Sequence, residues 1–216
     1  MRIGLLGGSF NPIHNAHLRI AGEAQEACLL DRVIFIPAAD PPHKPLAGDI
    51  SFEHRSTMVH MAIDGRPDFE MSTIEAERDG KSYSIDTIRI SRERFAGDDL
   101  FFIIGSDSFL EIGSWHRYDE IFSLCNLIVV ERPGCQIINP PEVLPDAVKG
   151  AFTFDGKIGS LTHQSGTSVF FVTGSPLDLS STEIRRLAAA GADITRYVPP
   201  EVAAYISQQR IYHQCL

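Results

Sequence analysis

The stretch Arg2-Ile3-Gly4-Leu5-Leu6-Gly7-Gly8-Ser9-Phe10-Asn11-Pro12-Ile13-His14-Asn15-Ala16-His17-Leu18 decides the fold. Arg2–Gly8 is an apolar run rich in Ile and Leu that ends in paired glycines. Such a run reads as a buried strand, and glycines after it let the backbone approach a ligand closely. The spacing predicts a helix over His17–Leu29, with Leu18, Ala21 and Leu29 on its apolar side. His14 and His17 lie three apart at this helix start, so they face the same side. Free backbone N–H groups and the helix dipole favour phosphate there. A helix-capping turn and a metal pair are the other readings of these histidines. The metal reading lacks a third ligand nearby. The G-x-G-x-x-G spacing is absent, which argues against an NAD-dependent dehydrogenase.

The rest of the chain repeats the alternation. Arg32–Ala38, Met71–Glu75, Leu100–Ser106, Asn126–Glu131 and Thr167–Thr173 read as strands. Glu53–Ile63, Ser84–Phe95, Tyr118–Leu124, Ser180–Ala190 and Pro200–Gln209 read as helices. Asp40–Asp49 carries Pro41, Pro42 and Pro45 and reads as a loop. Pro133–Gly166 reads as a variable connection with a short helix near Pro141–Val148. This order predicts an α/β fold with a doubly wound, mostly parallel sheet. It predicts one domain over 1–216, with a variable loop at 135–166 and a helical C-terminal part at 180–216. Ligands of such sheets bind beyond the carboxyl ends of the strands, near the topological switch point.

A chain of 216 residues buries roughly 70% of its extended surface, enough for a core without disulfide or metal staples. Net charge is −9, from 19 Lys+Arg against 28 Asp+Glu. That balance argues against a broad basic face for nucleic acid or anionic membrane, while leaving room for a locally basic cleft. Cys28, Cys125, Cys135 and Cys215 form no C-x-x-C pair and read as free thiols of a reducing cytoplasm. Met1–Leu18 lacks the pattern of a signal peptide, and no apolar run approaches the ~20 residues of a membrane span. Arg55 reads as an ordinary surface charge.

A second cluster, Asp178-Leu179-Ser180-Ser181-Thr182-Glu183-Ile184-Arg185, opens the penultimate helix. Ser180 and Glu183 have capping-box spacing. Capping does not ask for Ser181, Thr182 and Arg185 as well. Hydroxyls, open amides and a guanidinium at a helix start make a grip for polyphosphate.

The first cluster resembles the G-G-[ST]-F-[DN]-P-x-H-x-G-H signature of the nucleotidyltransferase superfamily, and SSTEIR matches its second signature. Between them stand Pro41-Pro42-His43-Lys44, Glu77 through Thr87, Ile104-Gly105-Ser106-Asp107, Trp115-His116-Arg117 and Arg132-Pro133-Gly134. This ordered set, over residues 3–134 and 167–212, resembles the bacterial nicotinate-nucleotide adenylyltransferases. Ala16 departs from the family's usual glycine.

The resemblance implies ATP and nicotinate mononucleotide as substrates, with Mg²⁺ carried by the ATP phosphates and no metal site of the protein's own. It implies His14 and His17 as the catalytic pair that stabilises charge at the α-phosphate. On the ATP side it implies Gly7, Gly8, Ser9 and Phe10, then Gly105, Asp107 and Arg132, and finally Ser180, Ser181, Thr182 and Arg185. On the mononucleotide side it implies Asn11, His43 and Lys44, then Ser82, Tyr83 and Ser84, with Trp115 stacking on the pyridine ring and Arg117 beside it. Asp107 also reads as the N-cap of a short helix, and Ser82 and Ser84 also read as caps of the helix after them. Other superfamily members, a phosphopantetheine adenylyltransferase or a cytidylyltransferase, are the neighbouring readings; Trp115 and Ser82–Thr87 argue against them. A non-catalytic nucleotide sensor on the same fold is a further class. No nucleic-acid or membrane partner is expected, and the assembly is a monomer or small homo-oligomer.

Overall fold

The computed structural model describes residues 1–42, 50–174, 177 and 179–212. In chain order the first half contains β1 (Arg2–Gly8), α1 (Asn15–Cys28), β2 (Arg32–Pro37), α2 (Phe52–Ile63), β3 (Phe69–Met71), α3 (Ser84–Arg94), β4 (Asp99–Gly105) and α4 (Ser106–Leu110). The second half contains α5 (Tyr118–Leu124), β5 (Asn126–Val130), α6 (Asp146–Lys149), β6 (Phe152–Asp155), β7 (Ser160–His163), β8 (Ser168–Val172), α7 (Ser181–Ala189) and α8 (Pro200–Gln208). The strands form one sheet of eight in the order β3-β2-β1-β4-β5-β8-β7-β6. The first six in that order pair in parallel; β7 pairs antiparallel with β8, and β6 with β7.

Period-two alternation along the strands separates two apolar layers. Leu6, Val33, Phe35, Phe101, Ile103, Ile128 and Val130 face a layer closed by α1, α2, α7 and α8. Ile3, Leu5, Ile34, Ile36, Phe102, Ile104, Leu127 and Val129 face a layer closed by α3, α4 and α5. The sheet is therefore covered on both faces, as the apolar runs predict. After β1 the chain moves outward to β2 and β3, then returns to place β4 on the other side of β1. The switch point falls between β1 and β4, and both strands end there in glycine: Gly7 and Gly8 on β1, Gly105 on β4.

Two expectations are corrected. The strand expected at Met71–Glu75 lies earlier, at Phe69–Met71, because Phe69 is the residue that reaches the core beside Val33. The connection 133–166 holds more than a short helix. A 3₁₀ turn at Pro140–Val143 and α6 are followed by the β6–β7 hairpin, which extends the sheet with antiparallel strands. Only four residues form each of these strands, and β6 is largely exposed, so the apolar pattern that marks a buried strand is missing.

Gly4 sits inside β1, where an added Cβ would stand 2.8 Å from Leu30 Cδ1, 2.9 Å from Ile103 Cδ1 and 3.3 Å from Val33 Cγ2. Those side chains are buried in a close-packed layer and must shift to admit it. Gly4→Val should lower unfolding free energy by about 1–3 kcal/mol, read as a shift of the urea midpoint at unchanged slope. An unchanged midpoint would show that this layer yields more easily than its packing implies.

Candidate active site

The turn between β1 and α1 is the centre of the site. Phe10 is completely buried with φ of 45°, and its ring meets the His17 ring edge-on at 5.1 Å and the Phe35 ring at 5.9 Å. A Cβ on Gly8 would stand 3.1 Å from the Phe10 ring, so glycine is what lets the ring fold under the strand end. Phe10 therefore acts as a wedge that sets the turn, and its ring has no surface to offer a ligand.

Several donors from elsewhere in the chain hold this turn from behind. Arg55 Nη1 donates to the Ser9 carbonyl at 2.8 Å. Arg185 Nη1 donates to the Asn11 carbonyl at 2.8 Å, and Ser181 Oγ to the Pro12 carbonyl at 3.1 Å. The Tyr212 hydroxyl donates to Asn11 Oδ1 at 2.8 Å. Arg55 corrects the sequence reading: it is fully buried on α2, not a surface charge. Asn11 is 3% exposed, with Oδ1 engaged by Tyr212.

His14 is the N-cap of α1, and His17 lies on its first turn. Their rings stack at 3.7 Å between centroids, 25° from parallel. His17 Nδ1 accepts from the His14 backbone N–H at 3.2 Å, so the neutral His17 ring carries its proton on Nε2. His14 Nδ1 is buried with no hydrogen-bond partner among the described residues. Burial, reinforced by the Arg132 charge, lowers the His14 pKa to about 4. Burial, then the His14 and Arg132 charges, holds His17 well below the ordinary imidazole value. Both rings are thus neutral near pH 7, and a polyanion placed against them would draw protons onto them.

A cavity of about 500 Å³ opens beyond the ends of β1 and β4. Gly7, Gly8, Ser9 and His17 line its β1 side, Gly105 and Arg132 its β4 and β5 side. Ser82, Tyr83, Ser84 and Trp115 line the far wall. A neighbouring cavity of about 200 Å³ is lined by Asp107, Ser180 and, again, Arg132. Arg132 Nε stands 3.3 Å from Asp107 Oδ1. A Cβ on Gly105 would meet these same two atoms at 2.5 and 2.4 Å, so this pair requires glycine at the end of β4.

Several expected residues are placed differently in detail. Trp115 is half-buried: it packs against the edge of the α3–α5 layer, perpendicular to the Phe102 ring at 6.4 Å, and also lines the cavity. Ser82 Oγ accepts from the Asp40 N–H at 3.0 Å, and Tyr83 rather than either serine is the N-cap of α3. Gly105, not Asp107, is the N-cap of α4. Ser180 does cap α7, accepting from the Glu183 N–H at 3.2 Å. Ser181, Thr182 and Arg185 line neither cavity: Ser181 and Arg185 hold the β1–α1 turn, and Arg185 Nη2 donates to Thr182 Oγ1 at 3.2 Å. Arg117 is exposed in a left-handed conformation and pairs with Glu120, outside the cavity. His43 and Lys44 lie outside the described residues.

Two groups escaped the sequence reading. Arg55 is one; its Met58-Val59 neighbours place it on the buried side of an amphipathic helix, a signal in retrospect. The other is Glu75, which is 6% exposed and lines the larger cavity. As the last residue of an expected strand it already stood where ligands bind.

The chain matches the family model described as cytidylyltransferase-like over residues 5–187. A curated relative from Pelobacter propionicus, named "Probable nicotinate-nucleotide adenylyltransferase", is 59% identical over 215 residues, covering 100% of both chains. One of the same name from Geobacter metallireducens is 55% identical over 98% of each chain. Among solved structures, Plasmodium falciparum nicotinic acid mononucleotide adenylyltransferase complexed with NaAD superposes with a TM-score of 0.76 at 19% identity, covering 98% of this chain and 97% of that one. The chain belongs to the cytidylyltransferase-like nucleotidyltransferases and, within them, to the nicotinate-nucleotide adenylyltransferase family. Among the described residues no helix is long and apolar enough to cross a membrane.

The lowered histidine values fix a pH dependence. Above about pH 6.5 the imidazoles are neutral in folded and unfolded chains alike. Between pH 6.5 and about 4, where His14 itself titrates in the fold, the unfolded chain binds more protons. Stability therefore falls as pH drops through that window. Urea midpoints should decline more steeply between pH 7 and 5 in the wild type than in His14→Gln. Parallel declines would show that His14 is not held neutral by the fold.

Proposed function

We propose that this chain transfers the adenylyl group of ATP to nicotinate mononucleotide, yielding nicotinate adenine dinucleotide and pyrophosphate. The observation that carries this reading is the contiguity of the twin-histidine turn with a cavity walled by Trp115 and the start of α3. Relatives named for this activity match over the whole chain.

A 5′-phosphate oxygen of the mononucleotide attacks the α-phosphorus of ATP. The new O–P bond forms as the bond to the β-phosphate bridging oxygen breaks, and that oxygen leaves with pyrophosphate. Phosphate is already a competent nucleophile, so no protein nucleophile is required. What the protein supplies is positioning and charge stabilisation. His17, donating from Nε2, acts on the phosphoryl oxygens, and His14, stacked against it, acts with it. Gly7, Gly8 and Ser9 allow close approach of the triphosphate, and Arg132 borders both cavities as the cation between them. Gly105 and Asp107 shape the nucleoside end, with Ser180 at the head of α7. Thr182, exposed on the first turn of α7, meets the outgoing pyrophosphate, while Ser181 and Arg185 keep the turn in register. Mg²⁺ arrives as part of the MgATP substrate; among the described residues no group of three or more His, Cys, Asp or Glu could hold a metal ion. The pyridine ring stacks on Trp115, and its carboxylate meets the open N–H groups at the start of α3, beside Ser82, Tyr83 and Ser84.

Pyrophosphate release with ATP and a panel of mononucleotides tests the reading. Nicotinate mononucleotide should be preferred over the nicotinamide form by about tenfold or more in kcat/KM, because an amide would set donors against donors. Equal use of both would overturn the substrate assignment. His17→Ala should lower kcat by about 10²–10³ with little change in melting temperature; a variant with most of its turnover intact would remove His17 from the chemistry.

A further inference from the structure

Glu75 stands on the wall of the larger cavity, 6% exposed, in the segment between β3 and α3. Its Oε1 accepts from the Thr87 hydroxyl at 2.6 Å, which fixes the side chain beneath the first turns of α3. Its Oε2 is buried with no hydrogen-bond partner among the described residues. The buried Arg55 guanidinium feels the Glu75 charge, but Glu75 forms no ion pair among the described residues. A buried carboxylate with a free oxygen is costly, and the fold has not relieved that cost by packing apolar groups there or pairing the charge. A carboxylate buried in a cavity wall, held in one orientation by Thr87 and paired with no cation among the described residues, acts on whatever fills the cavity through its field.

The chemistry of the cavity narrows which part of a ligand it meets. The start of α3 supplies the positive end of a helix dipole, and Glu75 supplies a negative charge on the same wall. Trp115 lines the same space with a flat apolar side chain. The matching group is a flat ring that carries a negative substituent and a positive ring atom. We infer that Glu75 is a specificity-determining residue that recognises the positive charge of an N-alkylated pyridinium ring, so that the cavity selects the oxidised, zwitterionic ring over its neutral dihydro form. This rests on the assignment of this cavity to the mononucleotide. No covalent step is involved: the carboxylate acts by Coulomb attraction, which a partly buried site screens weakly.

The test compares kcat/KM for nicotinate mononucleotide and for its reduced 1,4-dihydro form, at saturating MgATP, in wild type, Glu75→Gln and Glu75→Met. Gln keeps the shape and can still accept from Thr87; Met removes the buried carboxylate, and the Thr87 hydroxyl keeps the Tyr83 carbonyl as acceptor at 3.3 Å, so that either folded variant decides. The wild type should prefer the oxidised ring. In the variants that preference should shrink by about tenfold or more, through KM for the oxidised mononucleotide, while KM for ATP stays near its wild-type value. A structural role for Glu75 would move both substrates and ATP together and leave the ratio unchanged, which would overturn the inference. A wild type that uses neither mononucleotide would overturn the underlying substrate assignment instead. Unaltered ratios in an active wild type and an active variant would sink the role of Glu75 alone.

Discussion

The site depends on the backbone carbonyls of Ser9, Asn11 and Pro12 being held from behind. Their donors are Arg55 from α2 and Arg185 and Ser181 from α7, while Tyr212, beyond α8, holds the Asn11 side chain. Some of these partners are separated by 169 and 174 residues along the chain. A turn of this length has too little local hydrogen bonding to fix itself, and satisfied carbonyls on one side leave the stacked histidines on the other. The C-terminal helices are therefore part of this turn's construction rather than an appendage to the sheet. Burial of the Arg55 guanidinium, which lowers its pKa through desolvation, shows how much the fold commits to that hold.

The sheet decides where this turn sits. Because β1 and β4 are neighbours and their connections leave in opposite directions, their ends part and leave a crevice. Glycine at both strand ends keeps it open: on β1 for the Phe10 wedge, on β4 for the Asp107–Arg132 pair. Arg132 borders both cavities, so its charge is shared by the two spaces. The apolar layers above and below the sheet carry the folding free energy, while buried Asn11, His14, Arg55 and Glu75 gather at this end.

Most of this architecture was legible in the sequence. Buried parallel strands read as continuous Ile, Leu, Val and Phe runs, and the glycine pair and helix-start hydroxyls marked the crevice. What was hidden has physical reasons. The β6–β7 hairpin is short and mostly exposed, so it lacks the apolar signature. Phe10 and Asn11 belong to the signature stretch, yet serve as its buried support, and motif spacing does not separate support from contact. Ser181 and Arg185 look like a phosphate grip on a helix start and instead donate to carbonyls of the other signature. Arg55 and Glu75 are single charged residues whose burial follows from tertiary packing, which no local pattern announces.

The most direct measurement concerns Arg55, which lines neither cavity and, among the described residues, makes its side-chain hydrogen bond to the Ser9 carbonyl. Arg55→Met replaces a buried charge with an apolar side chain of similar length, a change that buried sites often tolerate in stability. Melting temperature and steady-state kinetics should be measured together on this variant. The account predicts a folded protein whose kcat/KM for ATP falls by about 10- to 100-fold, because a displacement of about 1 Å at a positioning element costs that much. A folded Arg55→Met protein with wild-type kinetics would contradict it: the turn would then hold its shape without the support from behind.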